Sequence, residues 1–134
     1  MLRPRTLLSA ATAAVAGLLA AAVVFGVRRV EVHGPSMLPT LAPGERLVVV
    51  RTWRVRPGDV IVLVDPAAPD RAIVKRALAI SGGEVTVGGD NSSLSVDSRR
   101  FGPVALDRVL GRAAYRYHPP HQRGRIARQG GLVP

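Results

Sequence analysis

The hydrophobic pattern divides the chain into one long apolar run and a series of short ones. Residues 7–27 pass 21 positions without a charge, with Arg3 and Arg5 before them and Arg28 and Arg29 after. That length suits a membrane-spanning helix, which needs about 20 apolar residues. The rival is a cleaved signal peptide, because Ala20, Ala21 and Ala22 imitate a small-residue cleavage site. The apolar run continues past them through Val23, Val24 and Phe25, longer than the roughly 7–15 residues of a signal-peptide core. The expectation is therefore a basic segment at 1–6 followed by an uncleaved anchor at 7–27. Arginines at both ends leave its orientation open.

From residue 30 the period shortens. Residues 30–33 (V-E-V-H) alternate like a strand, and so do 84–87 (E-V-T-V). Residues 46–51 (R-L-V-V-V-R) and 60–64 (V-I-V-L-V) are continuously apolar, which predicts strands buried on both faces or lying against lipid. Residues 72–80 form another apolar stretch around Lys75 and Arg76. Turns fall at P-G-E (43–45), R-P-G-D (56–59), a loop at 65–70, S-G-G (81–83) and G-G-D-N (88–91). Short strands with turn signals every 8–12 residues predict a small antiparallel or mixed β domain over 30–117. Helical spacing is sustained only at 106–114. Trp53 is equally consistent with a core residue and with a membrane-interface anchor. From 118 to the end, Pro, Gly, Gln and Arg dominate and disorder is expected.

Composition narrows the function. The 134 residues contain no cysteine, which removes disulfides and thiol nucleophiles. His33, His118 and His121 lack ligand spacing, and neither H-E-x-x-H nor a phosphate-binding Gly loop is present, so no metal and no cofactor are expected. The net charge is +10. It points to nucleic acid or an anionic membrane surface, but the arginines are scattered and aromatics few, which disfavours nucleic acid. Of 19 basic residues only Lys75 is lysine. Arginine stays protonated in proteins, whereas burial can neutralise a lysine amine.

Three stretches carry candidate chemistry. Gly34, Pro35, Ser36, Met37, Leu38, Pro39 and Thr40 place one serine among residues that restrict the backbone. Such a stretch presents a nucleophile or simply makes a turn. Lys75 stands among Ile73, Val74 and Arg76, where desolvation would lower its pKa and let it take a proton from a serine. Residues 89–104 are dense in hydroxyls and carboxylates that could surround a buried amine. The alternatives are an ordinary turn, a solvated strand lysine and surface salt bridges.

Together, G-P-S-M-L-P-T, V-K-R and G-D-N-S-S-L-S-V-D-S-R-R-F-G-P-V, in this order after an apolar segment and with R-P-G-D-V-I-V-L between them, resemble the signal peptidase I family of serine endopeptidases. The resemblance covers roughly 30–117. It implies a β-rich, signal-peptidase-like catalytic domain that cuts signal or leader peptides from exported precursors with a Ser–Lys dyad. That domain would lie outside the cytoplasm, held by a single N-terminal anchor in membrane lipid. Ser36 matches the nucleophile, its own backbone N–H an oxyanion donor, Lys75 the general base and Ser95 the serine that orients the lysine. Arg76, Asp90, Asp97 and Arg99 match a structural polar network. Gly34, Pro35 and Met37 fall beside the substrate strand. Some relatives carry a hydroxyl two places before the nucleophile as a second oxyanion donor; here that place is Gly34. The chain resembles the short forms, among them mitochondrial inner-membrane peptidases and actinobacterial proteases that mature nickel superoxide dismutase. A dedicated maturation protease for a metalloenzyme precursor is thus an alternative with the same chemistry. A self-cleaving repressor would need a DNA-binding domain where the apolar run stands. A non-catalytic, Arg-rich membrane adaptor is the alternative of another class.

Overall fold

A computed structural model describes residues 5–129. Helix α1 spans Arg5–Phe25 and eight strands follow: β1 Val27–Glu31, β2 Arg46–Val50, β3 Val60–Asp65, β4 Ala68–Ser81, β5 Glu84–Gly88, β6 Val104–Ala105, β7 Val109–His118 and β8 Gly124–Arg125. A one-turn helix α2, Ser98–Phe101, lies between β5 and β6. The strands form one antiparallel sheet ordered β1-β2-β7-β3-β4-β5-β6, with β8 added to β7.

The two apolar runs behave differently. β3 lies between β7 and β4, and Val60, Ile61, Val62 and Leu63 are all buried. Side chains alternate across a strand, so β3 feeds two cores. Val60 and Val62 join Leu47, Val49, Met37 and Leu41 on one face; Ile61 and Leu63 join Val85, Val87, Ala77 and Val104 on the other. β2 has only β1 and β7 as neighbours, and it buries Leu47 and Val49 while Arg46 is exposed. It is therefore buried on one face, not two. The anticipated loop at 65–70 shrinks to a two-residue turn, Pro66–Ala67, after which β4 runs 14 residues. Pairing with β3 continues through Ala72, Ile73 and Val74, and this cross-strand burial outweighs the weak propensity of the Ala-Pro-Asp sequence.

Several expectations are corrected. The run expected to span a membrane at 7–27 is helical only to Phe25, and Val27 opens β1. Among the described residues no helix is long and apolar enough to cross a membrane. The helical spacing at 106–114 yields a single 3-10 turn, Leu106–Arg108, and then β7, because Gly111 and Ala113 alternate inward in the centre of the sheet. Trp53 is 87% exposed and belongs to no core. Residues 119–129, where disorder is expected, are largely exposed but tied to the sheet at particular points. Ile126 rests on the first core, its N–H donates to the Ala114 carbonyl, and Arg128 Nε bonds buried Asp59 at 2.7 Å. The sheet thus reaches beyond 30–117 at both ends. Residues 1–4 of the basic segment expected at 1–6, and the end of the tail, 130–134, lie outside the described residues.

Candidate active site

The Ser36 loop is held from three sides. Beneath it, Met37 and Leu41 are 1% exposed and plug the first core, so the apolar residue after the serine fastens the loop. The Leu38–Pro39 peptide bond is cis, and the Leu41 N–H closes a turn onto the Met37 carbonyl at 2.9 Å. At the side, the Asn91 backbone N–H donates to the Ser36 carbonyl at 2.9 Å and its side-chain Nδ2 to the Pro35 carbonyl at 3.2 Å. At the end of the loop, Thr40 Oγ1 donates to the Asp90 carboxylate. Ser36 itself is half-buried, while Gly34 and Pro35 are exposed. Gly34 has φ +74°, a left-handed conformation that favours glycine.

The pleat of β4 separates its two basic neighbours. Lys75 pairs with Ile61 and faces the second core; Arg76 pairs with Val60 and faces the first. Lys75 is 5% exposed, and its Nζ donates to Ser95 Oγ at 3.0 Å. Burial pushes the amine below the ordinary lysine value, helped by the Arg99 charge and opposed by Asp97 and Asp65. Ser95 Oγ is the acceptor of the amine, and the Ser95 hydroxyl also favours the ionised form of the Asp97 carboxyl.

Asp97 is 2% exposed and caps α2. Burial alone would push its carboxyl up. The Arg99 guanidinium, the Gly89 and Arg99 N–H groups and Ser95 outweigh this and hold it well below the usual carboxylate range. Arg99 also bonds the Ser92 and Ser95 carbonyls, closing the 92–97 loop. On the other face, Arg76 grips Asp90 with two N–H groups, at 2.6 and 3.1 Å, and donates to the Gly58 carbonyl at 2.9 Å. The pair is not on the surface: the side chains are 4% and 11% exposed.

Ser36 and Lys75 line one groove of about 580 Å³. One wall runs from Glu31 to Met37, the other from Asp65 through the first half of β4, and Leu94, Val96 and Phe101 form an apolar rim. Both walls carry open sheet edges among the described residues: β1 pairs only with β2, and β4 meets β5 only from Arg76 onward. Asp65, at the rim, is lowered chiefly by its bond from Arg71. Among the described residues no group of side chains suited to a metal ion occurs.

The structure thus brings Ser36, Lys75 and Ser95 to one side, with Asp97 and Arg99 behind Ser95 and with Arg76 and Asp90 behind the Ser36 loop. The Met37 side chain is buried in the first core and also lines the groove, as Gly34 and Pro35 do. Asn91, Thr40, Asp59 and Gly89 escaped sequence reasoning. Gly89 is the most constrained, because an added Cβ would lie 2.3 Å from Ser95 Oγ and 2.5 Å from the Ser36 carbonyl oxygen. Its place inside the G-G-D-N turn disguised a close approach as turn chemistry.

The signal peptidase, peptidase S26, family model matches residues 5–88 and 79–118. The mitochondrial ATP-independent inner membrane protease subunit 1a of Arabidopsis thaliana is 32% identical over 72% of this chain and 73% of that protein. Mitochondrial inner membrane protease subunit 2 of Mus musculus is 33% identical over 72% of this chain and 70% of its own length. The Danio rerio protein of the same name is 35% identical over 72% and 67%.

Proposed function

Because the chain belongs to the signal peptidase S26 family, we propose that it is a serine endopeptidase that removes N-terminal signal or leader peptides with a Ser36–Lys75 dyad. The observation that carries this reading is the chain's single lysine, buried to 5% and bonded to Ser95 in the groove that Ser36 lines. A precursor segment would lie extended between the edges of β1 and β4 and add backbone hydrogen bonds to both. Its small apolar side chains would enter the groove between Val32, Ile73 and Val74.

Lys75, neutral, takes the Ser36 proton as Oγ attacks the scissile carbonyl. The backbone N–H of Ser36 is one donor to the resulting oxyanion. Collapse of this intermediate passes the proton from Lys75 to the leaving amine and leaves an acyl-enzyme, which a water activated by Lys75 then hydrolyses. Ser95 holds the amine, Asp97 fixes the direction of the Ser95 proton, and Arg99 keeps Asp97 ionised. The names of the relatives support membrane association; α1, with Val15, Leu18 and Leu19 exposed, would carry it, and the sheet domain would lie outside the cytoplasm.

The test is cleavage of a precursor with an Ala-x-Ala site by the purified full chain. Ser36→Ala and Lys75→Arg are each expected to lower the rate by at least about 10³-fold with the fold intact. Arginine remains protonated and cannot serve as base, so near wild-type cutting by Lys75→Arg would sink the dyad. Cutting of a metalloenzyme propeptide but not of general precursors would assign the same dyad to dedicated maturation.

A further inference from the structure

The turn between β2 and β3 contributes no residue to the groove and carries an unusual surface. Trp53, the only tryptophan of the chain, is 87% exposed. The Arg51 guanidinium sits over its ring, 5.2 Å from the centroid. Thr52 Oγ1 accepts from the Arg54 N–H and donates to the Arg54 carbonyl, both at 3.1 Å, so the bend that presents the indole is internally bonded. Burying an indole normally repays its cost, and a rigid turn that holds one outward needs another reason.

Charge and continuity indicate what covers it. Arg28, Arg29, Arg51 and Arg54 are exposed, and none forms an ion pair among the described residues. The turn adjoins the C-terminal end of α1: Arg51 N–H donates to the Gly26 carbonyl at 3.3 Å, and Val27 pairs with Val50. Thus the turn's exposed indole, with Arg51 and Arg54, adjoins the point where the apolar helix joins the sheet, and Arg28 and Arg29 follow that point on opposite faces of β1. Tryptophan favours the headgroup level of a bilayer, and arginines near a membrane surface are drawn to anionic lipid.

We propose that the β2–β3 turn docks on an anionic phospholipid surface, with Trp53 at the headgroup level and Arg51 and Arg54 against lipid phosphates. Docking would fix the sheet domain relative to the bilayer through a second contact besides α1. β1 would then run from the lipid contact at Val27 toward the groove at Glu31, a rise of roughly 13 Å. The inference does not depend on the Ser36–Lys75 reading.

The single tryptophan makes the emission of the full chain a report on this turn. The chain is reconstituted into vesicles of phosphatidylcholine, alone or mixed with phosphatidylglycerol. Trp53 emission is expected to shift to the blue and to be quenched by lipids brominated near the headgroup when phosphatidylglycerol is present, and far less without it. In an Arg51→Ser/Arg54→Ser variant the ratio of docked to free turn on anionic vesicles should fall about fivefold per arginine. Solvent-like emission in both vesicles would overturn the proposal. So would equal quenching in both, which would mean that α1 alone brings the turn to lipid, and so would a variant indistinguishable from wild type. A blue shift produced by an oligonucleotide and not by vesicles would replace lipid with nucleic acid. Cleavage of a soluble precursor peptide, followed alongside, should be unchanged in this variant and lost in Ser36→Ala, so the two readings fail separately.

Discussion

At Gly89 a missing side chain decides the site. Ser95 and the Ser36 carbonyl both press on the space where a Cβ would stand, so Gly89→Ala must move one of them. Because shifts near 1 Å can cost about 10²-fold in rate, Gly89→Ala is expected to lower kcat by that order. Its KM should change little and its denaturation midpoint modestly, as steady-state kinetics and urea unfolding would show. Lys75 makes the opposite compromise, an amine retained where burial penalises its charge. Its folded pKa lies below the unfolded value, so the folded state binds fewer protons than the unfolded chain. Stability therefore rises with pH across the alkaline range, up to the ordinary lysine value. Cleavage should rise over the same range as the base becomes neutral. Lys75→Met is expected to be inactive, to unfold at higher temperature near neutral pH and to lose the alkaline gain. Calorimetry from pH 6 to 10 would detect the two stability effects, and the cleavage assay the loss of activity. At Gly34, φ +74° penalises any added side chain, so Gly34→Ser should not behave as a free gain of an oxyanion donor.

Among the elements, the segment after β7 matters more than its composition suggests. Arg128 bonds Asp59, which is 1% exposed, and the Gln129 N–H reaches the Gly58 carbonyl at 3.3 Å. That same carbonyl accepts from Arg76, which grips Asp90 and, through it, Thr40 of the Ser36 loop. The tail is thus tied through buried polar groups to the loop that presents the serine. Arg128→Ala leaves a buried carboxylate without its cation and is expected to cost about 1–3 kcal/mol, read as a lower urea midpoint at unchanged m-value. A tail that only covers surface would give no measurable change.

For the molecule as a whole, one sheet with two cores divides the labour. The first core fastens the Ser36 loop through Met37 and Leu41, while Lys75 and its partners stand on the face of the second. The carboxylates that brace this arrangement respond to acid. Asp97 and Asp65 have folded values below their unfolded ones, so their contributions are present above about pH 4 and disappear as pH falls through the carboxylate range. Unfolding free energy should be nearly flat from pH 5 to neutrality and drop below pH 4, and Asp97→Asn should be destabilised at pH 7 with a shallower acid decline. Urea titrations at fixed pH would measure both.

Much was legible before folding. Local pattern sufficed for a β domain, since alternation, apolar runs and Gly–Pro turns are properties of adjacent residues. Three ordered motifs sufficed for the family, and a single lysine among arginines marked the one amine able to lose its proton. Tertiary structure decided the rest because it rests on contacts between distant residues. The 14-residue length of β4 comes from pairing with β3 and β5, and β7 is a strand because the sheet centre takes up its alternation. Met37 became a plug of the first core, and Gly89 a point of close approach between Ser36 and Ser95. Trp53 was left in solvent while Val55, two residues on in the same turn, packs against the second core. Such outcomes depend on which surfaces meet in three dimensions, and no window of neighbouring residues contains that information.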